Sequence, residues 1–290
     1  MRLLNIRLGR LYILLLLCMG ILIISGESNM IMAEEFTNAS LTGTYSATSI
    51  GREGQLPIAS IGIITFDGNE EIKGFLRQNQ PGPLWGSREI VEIPFKGTYA
   101  LDTHGTGTVT QDDGSESIFV ITQAQSSSKG IKKAKKISLL VKDLNSDTGS
   151  LVTYTLSRLP NAGIFDQRSM KGTYVTTILG QGGKTPEAAL GVGFFDGVGR
   201  NFNISNVNLP GTSFKDRIFF TISFEENYKV NEDGTGSTIM SDGTGGSIFV
   251  ITKASVINEV KVAQEVFIIA NNLSPTTGNL LAGVGKGLTK

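Results

Sequence analysis

One histidine and one cysteine among 290 residues leave little room for a Cys/His metal site or a histidine-based triad. Any general-base chemistry of the usual kind would have to pass through His104. It stands in LDTHGTG at 101–107, and the matching segment later in the chain, VNEDGTG, has Asp233 in its place. A position that takes His in one copy and Asp in the other, each before Gly, reads as a turn former. No nucleophile or charge partner is indicated beside it, so no catalytic residue is assigned. Asn231, Asp233 and Thr235, interleaved with Gly234 and Gly236, approximate a calcium loop, the metal that export would suit. The series lacks a downstream bidentate Glu and falls short of the roughly 6–8 oxygens calcium takes. A β-hairpin turn accounts for the same residues. Asp67 and Asp196 lie in two copies of FDG, at 66–68 and 195–197. They read as equivalent tight turns, since glycosidase-type chemistry would need two carboxylates converging on one cleft.

Three further features could meet a partner. Lys129, Lys132, Lys133, Lys135 and Lys136 cluster in one hairpin of the first half and have no equivalent cluster in the second. They would suit an anionic lipid head group or polysaccharide, or simply face water. Trp85, the lone tryptophan, lies in QPGPLWGS, where it would guard a barrel mouth, stack on a sugar or plug the barrel end. Ala189, Gly191 and Gly193 alternate with Leu190, Val192 and Phe194. One face of that strand is nearly bare, which leaves room for a ligand or for close approach of another layer. Trp85, Gly191 and Gly193 are the candidate ligand contacts.

These residues sit in a chain written twice. GTY at 43–45 recurs at 172–174 and FDG at 66–68 recurs at 195–197, both 129 residues on (172 − 43). Pro81-Gly82, Phe95, Tyr99 and the GTG at 105–107 recur at the same offset, and IFVIT at 118–122 recurs at 248–252, one residue further. A period this long means two whole domains. They are expected at 38–160 and 168–290, joined by PNAGIFDQ at 160–167.

Within the first copy, strands are predicted at 41–50, 57–66, 71–79, 88–101, 106–111, 116–124, 135–144 and 150–159, rich in Ile, Val, Thr, Phe and Tyr and punctuated by Asp-Gly turns. No window carries a helical apolar period. The fold class is all-β: two tandem antiparallel barrels, or closed sandwiches, of about eight strands each, with the barrel favoured because closure removes exposed edges. IFVIT is apolar on both faces and should be covered on both. It and the bare-faced strand at 189–194 are the expected inter-domain contacts, with ordinary core strands under a loop as the alternative.

Ahead of the first domain, Arg2, Arg7 and Arg10 precede an apolar run at 11–24, shorter than the roughly 20 residues of a membrane span. Residues 1–33 read as an export signal cleaved after Gly26 or Ala33; an uncleaved signal would anchor the protein. Cys18 lies inside this run, with Leu17 before it, so the mature chain would have no cysteine and each domain must hold together by its core. Lys+Arg 26 balances Asp+Glu 26, so no net field favours nucleic acid. Glycosylation sequons begin at Asn38, Asn203 and Asn272.

Gly43-Thr44-Tyr45 and Gly172-Thr173-Tyr174, each opening about 120 residues of short antiparallel strands, resemble the G-x-aromatic start of calycin barrels, the lipocalin-like and allene-oxide-cyclase-like folds. Lipocalins carry Trp where Tyr45 and Tyr174 stand. The resemblance implies a barrel in both halves and supplies no site residue, cofactor or partner.

The reading is an exported protein without catalytic activity of its own, binding a small, largely apolar molecule inside one or both barrels. One alternative is a structural or surface protein with filled barrels. The other is a cyclase or isomerase that uses a barrel-lining carboxylate or Tyr. An enclosed apolar cavity favours binding, and a solid interior favours the structural role.

Overall fold

The computed structural model describes residues 35–54, 56–82, 87–126, 130–142, 149–181, 186–211, 216–270 and 279–288. The segment read as an export signal, together with Cys18 and Trp85, lies outside the described residues. Alternating apolar and polar runs form β1 (Gly43–Glu53), β2 (Leu56–Phe66), β3 (Glu71–Pro81), β4 (Arg88–Leu101), β5 (Thr106–Gln111), β6 (Glu116–Ser126), β7 (Lys132–Lys142) and β8 (Leu151–Arg158). Each strand pairs antiparallel with the next and β8 returns to β1, closing barrel 1. Barrel 2 repeats the circuit with β9 (Gly172–Gln181), β10 (Glu187–Phe195), β11 (Arg200–Pro210), β12 (Arg217–Val230), β13 (Thr235–Met240), β14 (Gly246–Ile257), β15 (Val260–Ala270) and β16 (Leu280–Gly287). The predicted strands of the first copy are all present, and closure decides for barrels over sandwiches. The only other regular elements among the described residues are two 3-10 turns, Asn38–Leu41 and Gln167–Met170.

The repeated motifs build the floor of each barrel. Tyr45 meets Phe66 edge-on at 5.4 Å between centroids, and Phe66 meets Tyr99 at 5.0 Å. Tyr174, Phe195 and Tyr228 repeat the triad at 5.3 and 5.2 Å, a geometry that aromatic quadrupoles favour. Each hydroxyl has an acceptor: Tyr45 donates to the Ala134 carbonyl at 3.1 Å and Tyr174 to that of Ala263 at 2.9 Å. Tyr99 and Tyr228 donate to the carbonyls of Asn38 and Gln167 in the 3-10 turns, at 3.3 and 3.1 Å. Burial pushes the Tyr45 hydroxyl up to about 12, against a smaller opposing pull from Arg158, so it remains a donor.

A short segment latches under each floor. Lys132 lies over the Phe36 ring at 4.9 Å, and Lys261 over Phe165 at 4.7 Å. Gly105 and Gly234 face those two rings at φ +91 and +89, where a Cβ would approach the ring to 2.9 Å; glycine is required there both for backbone and for space. Phe165 belongs to the connection expected between the domains. Its neighbour Ile164 donates its amide to Glu259 O at 2.9 Å and accepts from the Lys261 amide at 2.8 Å.

Barrel 1 has an interior core of its own, and the outer face of its β2 joins the core of barrel 2. Ala59, Ile61 and Ile63, on the outer face of β2, cluster with Val250, Ile269 and Ala282 of barrel 2. Asn79 Nδ2 crosses the same contact to the Ala270 carbonyl at 2.9 Å. The expectation for the contact strands is therefore half met. The second IFVIT, on β14, is covered on both faces, whereas Ile118 and Val120 of the first stand exposed on β6. The strand that inserts is β2, and not its bare-faced counterpart β10. β10 instead turns its small residues inward, toward the cavity described below.

The turn carboxylates act within the backbone. Asp67 Oδ1 accepts the amides of Asn69, Glu70 and Glu71 at 2.8–3.1 Å, and Asp196 Oδ1 those of Val198, Gly199 and Arg200 at 2.8–3.0 Å. The Asn69 amide, first among these donors, holds the Asp67 carboxyl below the usual range. Replacing Tyr174 by Phe removes a buried donor without changing the ring packing. It is expected to lower the unfolding free energy by about 1 kcal/mol, read from urea melts, and Tyr45→Phe should do the same.

Candidate functional site

The two barrels have matching walls and different contents. In barrel 1, Ile64, Ile72, Leu76, Val109 and Leu156 pack above the aromatic floor. In barrel 2 the corresponding positions are Gly193, Asn201, Ser205, Thr238 and Gly285. Glu226 projects inward where barrel 1 has Gly97, and Gly283 stands where Tyr154 projects from β8. The exchange leaves a cavity of about 510 Å³ in barrel 2 that reaches down to Met170, Phe195 and Phe249. Barrel 1 also has space in its upper half, about 620 Å³, but Leu76 and Phe95 form its base and charged Asp113, Glu116 and Lys142 its rim.

The barrel 2 cavity has a polar base and apolar walls. Glu226 Oε2 accepts from Asn201 Nδ2 and Asn203 Nδ2, each at 3.0 Å. Its Oε1 accepts from Thr238 Oγ1 at 2.8 Å, and Thr238 in turn lies 2.9 Å from Ser247 Oγ. Asn201 Oδ1 is buried and has no hydrogen-bond partner among the described residues, a vacancy unusual for a folded interior. Above this base the walls are Ile178, Val207, Leu209, Ile222, Phe224 and Ile268. At the far end Glu187 accepts from Asn279 Nδ2 at 2.9 Å. A largely apolar lumen with a few convergent polar groups is the usual make-up of a small-molecule site.

The sequence candidates fall on and around this cavity in different ways. Gly191 and Gly193 lie on the inward face of β10 beside the side chains of Ser205 and Asn203, whose oxygens approach the missing Cβ positions to 2.3 and 2.6 Å. They make room for the polar lining, while their neighbour Ala189 is itself part of the wall. Asn203, a sequon residue, points into the barrel and binds Glu226, while Asn272 lies outside the described residues. Asn231, Asp233 and Thr235 form one hairpin turn. Asp233 Oδ1 accepts the Thr235 amide and hydroxyl at 2.8 and 2.7 Å, and Asn231 turns its Nδ2 to that hydroxyl at 3.0 Å. His104 occupies the equivalent exposed turn, its amide donated to Asp102 at 2.8 Å. No cluster of three His, Cys, Asp or Glu side chains suited to a metal occurs among the described residues.

Of the lysine cluster, Lys132 is engaged by Phe36, and Lys133 donates to the Ala39 carbonyl at 2.6 Å. Desolvation, and then Arg158, hold the Lys133 ammonium below its ordinary value. Lys135 and Lys136 line a groove beside the connection to barrel 2, with Arg158, Pro160 and Glu265; Lys129 lies outside the described residues.

Sequence reasoning did not find Glu226 or its donors. In FEENYKV at 224–230 the exposed residues Glu225, Asn227 and Lys229 keep the expected polar alternation, and Glu226, among Phe224, Tyr228 and Val230 on the inward face, reads as one more polar residue of the run. A usable signal was the comparison of the copies, which sets Asn, Ser, Thr and Glu against Ile, Leu, Val and Gly at inward positions. The glycine series Gly283, Gly285 and Gly287 against Tyr154, Leu156 and Arg158 carries the same message.

No protein-family model matches the chain, and no curated protein does. Among solved structures it is similar to a protein of unknown function from the DUF3598 family of Nostoc punctiforme, at 10% identity and TM-score 0.26 over 87% of this chain and 99% of that one. It is also similar to HpuA of Kingella denitrificans in complex with human haemoglobin, at 10% identity and TM-score 0.30 over 84% of this chain and 87% of that one. The apo haemoglobin receptor HpuA gives 10% identity and TM-score 0.27 over the same shares. Likeness at this level assigns neither a family nor a role. The barrel architecture implied by the calycin resemblance is present in both halves.

Glu226→Ala would strand the amides of Asn201 and Asn203 and the hydroxyl of Thr238. Thermal and urea unfolding are expected to show a loss of about 1–3 kcal/mol, with Glu226→Gln recovering part of it.

Proposed function

We propose that this is an exported binding protein whose second barrel holds one small, elongated, largely apolar molecule, its hydrogen-bond-donating end seated at Glu226 and Asn201. The observation that carries the reading is the buried, unpartnered Asn201 Oδ1 beside the Glu226 carboxylate at the polar base of a cavity whose walls are largely apolar. Two acceptors side by side call for a donor, either a hydroxyl or an ammonium, and oppose a carboxylate. A volume of about 510 Å³ falls within the usual range for ligand pockets. Export rests on the N-terminal pattern of arginines, apolar run and small residues.

A cyclase or isomerase would also need a carboxylate in such a cavity, and Glu226 is one. Its oxygens are already engaged by Asn201, Asn203 and Thr238, which suits a fixed acceptor better than a group that must take up and release a proton.

The test is displacement of the fluorescent apolar probe N-phenyl-1-naphthylamine. One probe per chain is expected, displaced by dodecylamine and dodecanol and poorly by dodecanoate. Ser205→Leu combined with Ala189→Phe, which fills the lumen, should abolish probe binding while the fold survives. Glu226→Gln should weaken dodecylamine about tenfold or more, as loss of a charge-assisted hydrogen bond requires. A native chain that binds no probe, or a filled variant that binds it unchanged, would overturn the reading.

A further inference from the structure

We propose that the chain assembles head to tail with further copies of itself, barrel 2 of one copy docking on barrel 1 of the next by repeating the contact that joins the two barrels within the chain. That internal contact has two faces. The inserting face is the outer wall of β2–β4, where Ala59, Ile61 and Ile63 lie with Phe75 and Ile90 beside them. The receiving face is the outer wall of β13–β16, where Thr235, Ile248, Val250, Ile269 and Ala282 are buried.

Because the second barrel duplicates the first, each barrel carries both faces, and the internal contact uses only one of each. The counterparts of the inserting face in barrel 2 are Ala188, Leu190, Val192, Ile204 and Phe219. All are still apolar, and Leu190 is 54% and Phe219 70% exposed. The counterparts of the receiving face in barrel 1 are Thr106, Ile118, Val120, Leu140 and Thr153. Ile118 is 49% and Val120 42% exposed, and the five line an open groove of about 550 Å³ on the barrel's outer wall. Single exposed apolar residues are ordinary, but contiguous patches mark interaction sites. Here two such patches match, position by position, the two halves of a contact already made once.

A polar detail repeats as well. Arg88 grips Asn79 through Nε–Oδ1 at 2.8 Å and reaches the Pro57 carbonyl at 2.7 Å, leaving Asn79 Nδ2 to cross to Ala270 O at 2.9 Å. Arg217 grips Asn208 at 2.6 Å and reaches the Pro186 carbonyl at 2.7 Å. Asn208 is thus held as Asn79 is, and its Nδ2 has no acceptor among the described residues. The carbonyl that would receive it is that of Val141 on the next copy, the counterpart of Ala270. β2 and β6 lie half a circuit apart in the barrel, so the two faces look in opposite directions. The contact is heterologous and extends from copy to copy instead of closing a symmetric pair.

Sedimentation velocity of the full chain, from micromolar to about 1 mM, covers the affinities expected of a contact without a tether. Species growing in steps of one chain are expected. Val120→Glu and Leu190→Glu should each reduce the protein to monomer with unchanged circular dichroism. An equimolar mixture of the two should give one-to-one pairs and nothing larger, since each variant keeps the face the other lacks. If either glutamate variant fails to fold, Val120→Ser and Leu190→Ser take its place. A wild-type chain that stays monomeric at the highest concentration would overturn the proposal. So would association that persists in both variants, or a mixture that stays monomeric. Monomers that bind phosphatidylcholine vesicles through Leu190 and Val120 would assign the faces to lipid and equally overturn it.

Discussion

An eight-stranded sheet that closes on itself fixes its lumen by strand number and stagger, whatever side chains are placed inside. Both halves of this chain accept that constraint with the same strand circuit and the same aromatic floor. The interior side chains then decide what the lumen becomes. Where Ile72, Leu76, Val109 and Leu156 project, the lower half of barrel 1 is core. Where Asn201, Ser205, Thr238 and Gly285 project, the same volume opens in barrel 2. No change of backbone topology is needed to open the lower half of the lumen.

This division alters what the repeated motifs mean. Tyr45 and Tyr174, Phe66 and Phe195, Asp67 and Asp196, and Gly105 and Gly234 are shared because each barrel needs a floor, a capped turn and a latch. The specialised chemistry lies at inward positions where the copies disagree. Similarity between the halves identifies the machinery of folding, and dissimilarity identifies the candidate site.

The strand run, the turns and the duplication were legible because they rest on local signals: β-branched alternation, Asp-Gly pairs and a constant offset. Closure into barrels was legible at the level of architecture. The inward carboxylate was not, since Glu226 stands alone among Ile222, Phe224, Tyr228 and Val230 on the otherwise apolar face of β12, next in sequence to an outward Glu225 of the same kind. The apolar double face of IFVIT predicted covering layers for both copies, which β14 has and β6 does not, since Ile118 and Val120 stand exposed. The clamps of Arg88 and Arg217 join residues from three strand ends. No spacing rule brings such residues together before the barrel exists.

Asn203 closes the chain of consequence in an unexpected place, the ribosome's destination. Asn203-Ile204-Ser205 is an acceptor for oligosaccharide wherever that machinery meets a nascent chain. In the finished protein the Asn203 amide is inside β11's barrel, bound to Glu226. A glycan attached before β11 pairs with its neighbours is far too large for the lumen and would hold the cylinder open. A cell that decorates this sequon would then keep β11 from closing its barrel, and a cell that leaves it bare would not. The choice of host for producing this protein is therefore a choice about its second domain.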